Sequence, residues 1–146
     1  MANTTYIKKV IEPYLRKWLS REFPGHNFRG RSLALRSGRS FAFDAVSDDA
    51  KIIAEFLCSR ARTSGNNENT GGVRKAHRDS QRLRELEGEP TRVMVFTDEA
   101  FRDLMVRRAG GLGEIGIQMV VCHLPASKQR GLDDTLDAAS REMDKP

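Results

Sequence analysis

The chain has 146 residues, 38% of them hydrophobic and 31% charged, which suits one globular domain with a real core and argues against a disordered chain. No apolar run approaches the roughly 20 residues that a membrane-spanning helix needs, and the first residues, MANTTYIKKVIEPYL, lack the apolar segment and small-residue cleavage site of a signal peptide. The net charge of +5 is uneven, with nine Lys and Arg against two Glu before Asp44; such a basic start fits either a polyanion such as nucleic acid or a solvated basic surface. Cys58 and Cys122 match neither a disulfide framework nor a zinc-ligand spacing, so the expectation is a reducing cytoplasm with both thiols buried.

Residues 4–23 read as a helix, with Ile7, Val10, Ile11, Tyr14, Leu15, Trp18, Leu19 and Phe23 at three- and four-residue spacing. Asn3 or Thr4 would cap it, Pro13 should kink or restart it, and Pro24-Gly25 should end it. SLALRS (32–37) reads as a weak strand, with Ser37-Gly38 as a turn; SFAFDAVS and KIIAEFLCS follow as strands around Asp48-Asp49-Ala50. TSGNNENTGG (63–72) has no apolar residue and predicts a mobile loop, and 73–87 predicts a helix with Val73, Ala76, Ser80, Leu83 and Leu86 inward. RVMVFTD (92–98) has the continuous apolar core of a buried strand. Thr97 or Asp98 then caps a helix with Phe101, Leu104 and Met105, stopping at Gly110-Gly111 before a buried strand, IGIQMVVCHL (115–124). Residues 1–125 are thus expected to form one domain. The polar remainder, 126–146, holds only Leu132, Leu136 and Met143 as large apolar side chains and predicts a tail or a marginal helix.

Short turns make the first three strands antiparallel, and the helices that follow permit parallel pairing, so the fold class is α/β with a mixed sheet. Within it, FAFDAVSDDAKIIAEF raises a question. A two-residue turn at Asp49-Ala50 pairs Asp48 with Lys51 and sets Asp44 opposite Glu55. Alternation assigns Ala42, Asp44, Val46, Ile53, Glu55 and Leu57 to one face, and Phe41, Phe43, Ala45, Ile52, Ala54, Phe56 and Cys58 to the other. Like charges about 4.5–5.5 Å apart at Cβ repel. A shared proton, a nearby cation or a bridging divalent metal would offset the repulsion, or the face is exposed near the sheet end and both groups are in water.

The element order and these two acids resemble the PD-(D/E)XK, or restriction-endonuclease-like, nuclease superfamily, over about residues 4–97. Members carry an Asp on the second strand and a Glu or Asp on the third, followed two residues later by Lys; Asp44 in FAFDAVS and Glu55 in KIIAEFLCS match the acidic positions. The resemblance implies a restriction-endonuclease-like mixed sheet flanked by helices. It also implies Mg²⁺, or Mn²⁺, held by Asp44 and Glu55 for hydrolysis of phosphodiester bonds, in DNA more usually than in RNA. Leu57 stands where the pattern has its Lys; some members supply that cation from the next helix, where Lys75 is the substitute. Lys75 also lies four residues before Asp79, a spacing that suits an ordinary ion pair. Some members add a first-helix Glu, a position Glu22 or Glu12 could fill, and Ser59 shares the strand face of Glu55.

Arg74, Arg78 and Arg82 recur along one helix face, and Arg36 and Arg39, with Arg29 and Arg31, could extend a nucleic-acid-binding rail; a solvated helix face gives the same pattern. His26, His77 and His123 show no ligand spacing, and no Gly-rich phosphate signature is present. The leading expectation is therefore a small metal-dependent nuclease; the alternative is a nucleic-acid-binding or protein-interaction module with a degenerate site, which Leu57 favours. A homodimer through IGIQMVVCHL or the C-terminal residues would supply two sites for a duplex.

Overall fold

The structure, a computed structural model, describes residues 5–63, 65–108 and 116–143, with side chains as far as residue 139. The predicted caps Asn3 and Thr4, the stop at Gly110-Gly111 and the side chain of Met143 lie outside these residues.

The chain opens with a π-helical turn, Ile7–Ile11, that runs directly into α1 (Glu12–Glu22). Pro13 explains the widened turn. It has no N–H to donate and its ring would strike the carbonyl four residues back, so Glu12 N–H bonds the Ile7 carbonyl, five residues back. The kink expected at Pro13 is absorbed without ending the helix.

Three strands follow, β1 (Phe28–Ala34), β2 (Ser40–Ser47) and β3 (Ile52–Leu57); then α2 (Thr70–Arg84), β4 (Thr91–Phe96), α3 (Glu99–Arg108), β5 (Ile117–Val121) and α4 (Ala126–Met143). The five strands form one mixed sheet in the order β1-β2-β3-β4-β5, antiparallel from β1 to β3 and parallel from β3 to β5. The first strand lies earlier than 32–37: β1 is an edge strand, mostly exposed and carrying Arg29 and Arg31, so it lacks the apolar alternation that would mark it in sequence.

Apolar side chains fill both faces. One core packs Ile53, Leu57, Met94 and Phe96 against Val73, Ala76 and Leu83 of α2 and Phe101 and Met105 of α3. The other packs Ala45, Ala54, Phe56, Val93 and Val95 against Ile11, Leu15 and Leu19 and against Leu132 of α4. β3, between the two layers, is buried at every position. α4 presses on the N-terminal turn so closely that a Cβ on Gly131 would fall 2.3 Å from the Tyr6 ring; only glycine allows this approach. Residues 126–143, expected as a tail or marginal helix, thus supply the fully buried Leu132.

α2 begins at Thr70, inside the segment predicted as loop, because Asn69 accepts the Gly72 N–H at 3.0 Å and caps it. The connection before it bridges Arg62 to Glu68 and ties Arg60 to Asp137 of α4 at 2.7 Å. At the far end of α2 the buried Arg92 donates to the carbonyls of Leu83 (2.6 Å), Leu86 (3.1 Å), Gly88 and Pro90 (both 3.4 Å), closing the helix C-terminus. Among the described residues, no helix is long and apolar enough to cross a membrane.

Candidate active site

The β2–β3 hairpin has the predicted register but a wider turn. Ala45 pairs Ala54 and Val46 pairs Ile53, while residues 48–51 form the connection, with Ala50 at a φ of 57°. Ser47 holds it: its carbonyl accepts from Ala50 N–H at 2.9 Å and its hydroxyl from Ile52 N–H at 2.9 Å. One step beyond Ala45 and Ala54 the backbone ladder stops and two carboxylates take its place. Asp44 N–H donates to Glu55 Oε1 at 2.9 Å, and Phe56 N–H donates to Asp44 Oδ2 at 2.8 Å. Each acid is held by the opposite strand, which fixes both without using the second oxygen of either.

A β-bulge sets this geometry. Between the pairs Arg29–Val46 and Arg31–Phe43, β2 uses one residue more than β1, so Asp44 and Ala45 together face Gly30. The alternation expected for β2 is therefore broken: Phe43 packs in the same core as Val46, Ile53 and Leu57, whereas Ala45 lies in the other. The face assigned to the carboxylates is not an exposed outer face, since α2 covers it.

Both neighbouring helices reach the bulge. Arg16 of α1 crosses Gly30, where a Cβ would lie 3.4 Å from its Nη2, and donates through Nε to the Asp44 carbonyl at 2.9 Å. One turn earlier, Glu12 pairs with Arg16 at 3.3 Å. From α2, Lys75 Nζ lies 2.6 Å from Oδ2 of the buried Asp79, whose other oxygen is 3.9 Å from Arg82. Ile7, Lys8, Glu12, Asp44, Phe56, Cys58, Ser59, Lys75 and Leu136 line a cleft of about 290 Å³; Asp44 opens onto it, whereas the buried Glu55 is not one of its walls.

Charge is crowded here. Burial, then the negative charges of Asp44 and Asp79, raise Glu55 to about 9, so it holds a proton at neutral pH when no cation is present. Burial also raises Asp44, and burial followed by Asp44 raises Glu12. Burial opposes the charge on Lys75, but Asp79, Asp44 and Glu55 outweigh it and raise its pKa, keeping the ammonium charged. Burial, with Glu12 and Asp44, pushes the Cys58 thiol up to about 12, which leaves it protonated and unfit as a nucleophile.

Of the predicted residues, the structure brings together Asp44, Glu55, Lys75 and Ser59. It leaves Glu22 out: exposed at the far end of α1, that residue acts on Cys122, and Glu12 is the first-helix acid at the cleft. Leu57 is fully buried under α2 and has no opening to the cleft. Arg39 and Arg78 meet in a second groove beside Arg82, while Arg36 and Arg74 are exposed. Asp98 is a cap, accepting from Phe101 N–H at 3.0 Å. Asp79 and Arg16 were not singled out for the site. Asp79 carried a signal, an acid at an otherwise inward position of an amphipathic helix, whereas Arg16 depends on a bulge with no sequence mark.

Among the described residues no three His, Cys, Asp or Glu side chains are grouped to hold a metal ion. Asp44 on the cleft, with the buried Glu55 bonded to its backbone N–H, nevertheless fits Mg²⁺, a hard ion that keeps several waters and takes one or two carboxylates together with substrate phosphate oxygens. Asp44 Oδ1 and Glu55 Oε2, which make no hydrogen bond among the described residues, are the atoms available to it. No protein-family model matches the chain, and neither the curated proteins nor the solved structures yield a significant match.

Proposed function

We propose that the protein is a restriction-endonuclease-like nuclease that hydrolyses phosphodiester bonds of nucleic acid, DNA before RNA, at the Asp44–Glu55 cleft with Mg²⁺ or Mn²⁺. The observation that carries this reading is the replacement of backbone pairing by two carboxylates, each anchored by the other strand's N–H, with Asp44 and Lys75 lining one cleft beside them. A fold spends stability on such an arrangement only where the clustered charge has a use.

Asp44 and Glu55 would hold the ion, which when bound supplies an activated water and neutralises charge on the phosphate. Glu55 would have to be ionised to serve as a ligand, and a nearby positive charge would favour that form. Lys75, kept charged, donates hydrogen bonds to the phosphate or the water and does not act as the base. It takes the part that Leu57, sealed in the core, cannot. Arg16 holds the Asp44 backbone in its bulge, Asp79 orients Lys75, and the Ser59 hydroxyl lines the rim.

The test is cleavage of plasmid, linear duplex, single-stranded DNA and RNA with Mg²⁺ or Mn²⁺. Wild type is compared with Asp44→Asn, Glu55→Gln and Lys75→Met from the same purification. Wild-type cleavage lost in both carboxylate variants supports the reading; cleavage that survives in both sinks it. A second reading, a binding module with a degenerate site, draws on the 2.6 Å bond that commits Lys75 to Asp79. It predicts salt-sensitive nucleic-acid binding, indifferent to Mg²⁺, with no cleavage by wild type.

A further inference from the structure

The walls of the cleft continue into a second, basic groove. β2 contributes Asp44 to the cleft and Ser40 and Phe41 to the groove; α2 contributes Lys75 to the cleft and Arg78, Gln81 and Arg82 to the groove. Arg39, from the β1–β2 turn, completes a cavity of about 360 Å³ whose only acid among the described residues is Glu85. Arg82 lies over the Phe41 ring, its guanidinium carbon 4.2 Å from the centroid, so one planar cation is held against an aromatic floor. The same Arg82 approaches Asp79 at 3.9 Å, and Asp79 bonds Lys75, so one buried carboxylate sets the cations of both cavities. At 1.5 Å per residue, Lys75 and Arg82 are about 10 Å apart along α2, within the reach of a short stretch of one nucleic-acid strand.

We infer that this groove binds a single strand of nucleic acid next to the cleaved bond, with phosphates on Arg39 and Arg78 and a sugar or base against Arg82 and Phe41. The inference rests on the nuclease reading for its substrate class and adds where the strand runs and that it is unpaired. Three arginines on a cavity with one acid fit a polyanion. Aromatic rings and arginine guanidinium planes are the surfaces on which unpaired bases stack, and Arg82 over Phe41 presents such a plane to the groove.

Fluorescence anisotropy with a labelled single-stranded DNA and the matching duplex, at several salt concentrations, tests it on the full chain. Asp44→Asn serves as the background, so that nothing is cleaved. Arg39→Ala/Arg78→Ala, both at exposed positions, should weaken single-strand binding about tenfold and reduce the slope of log K against log salt by about 1.4. Arg82→Lys, which keeps the charge but not the planar stack, should weaken the single strand more than the duplex. Unchanged affinity and slope in the arginine pair would overturn the groove, as would a duplex that binds as tightly as the single strand. Wild type that binds through the groove but cleaves nothing supports the groove while removing the nuclease reading; cleavage with an indifferent groove does the reverse.

Discussion

At the C-terminal end of α2 the buried Arg92 guanidinium meets four carbonyl oxygens, whereas along the first turns of the same helix one ammonium, Lys75, faces Asp79, Asp44 and Glu55. The first arrangement satisfies orphan carbonyls and donors together, so it holds the fold. The second leaves Glu55 and Asp44 raised, with Glu12 raised beside them, and is relieved only by protons or added cations. The two ends of one helix therefore meet charge in two different states. What distinguishes them is whether the partners already present exhaust the group.

That contrast can be broken from either end. The largest effect is expected at the acids: Asp44→Asn or Glu55→Gln should lower cleavage about 10³-fold, the several kcal/mol that a catalytic ion supplies, with thermal unfolding unchanged or slightly later. Arg92→Met should do the opposite, lowering stability by about 3 kcal/mol in urea melts because the carbonyls of Leu83 and Leu86 lose their donor. Activity per folded molecule should stay as in wild type, and a stability loss below about 1 kcal/mol would refute the structural role.

Smaller, and specific to the acid end, is the response to pH. Glu55 keeps its proton to about 9 in the folded chain, against an ordinary value of 4.5. Between those limits the folded state binds more protons than the unfolded state, so stability without metal should fall as pH rises, by about 1.4 kcal/mol per unit at most. Glu55→Gln should flatten that slope, and Mg²⁺ should stabilise wild type more at pH 8.5 than at pH 6; parallel wild-type and variant profiles would refute it. The smallest effect is expected at the cap that starts the helix: Asn69→Ala should cost about 1 kcal/mol, read from chemical denaturation, and should disturb Lys75, on α2 itself, more than Arg92, which lies on β4 against the other end of the helix.

Much of the scaffold was legible from residue pattern. Ser40–Ser47 was read to the residue because its apolar run is bounded by turn chemistry on both sides; β4 was found, though one residue late and two too long, because its apolar core is unbroken. The opposition of Asp44 and Glu55 was legible because hairpin register survives a change of turn width when the added residues are symmetric about it. The faces of β2 were not, since the bulge opposite Gly30 shifts them by one and a bulge depends on the partner strand. Glu12 and Glu22 could not be ranked in sequence, because both sit beside an apolar stripe and only the packing direction of α1 puts the first at the cleft and the second near Cys122.

The sequence by itself determined the order of helices and strands, the antiparallel-to-parallel change in the sheet and the pairing of two acids on one hairpin, because periodicity and turn residues act over a few neighbours. Only the tertiary structure decided that those acids replace backbone bonds, that the Asp79 paired with Lys75 is buried, and that Leu57 belongs to the core. These depend on burial, which a residue acquires from segments distant in the chain, and burial is what turns an ordinary carboxylate into one that holds its proton or takes a metal.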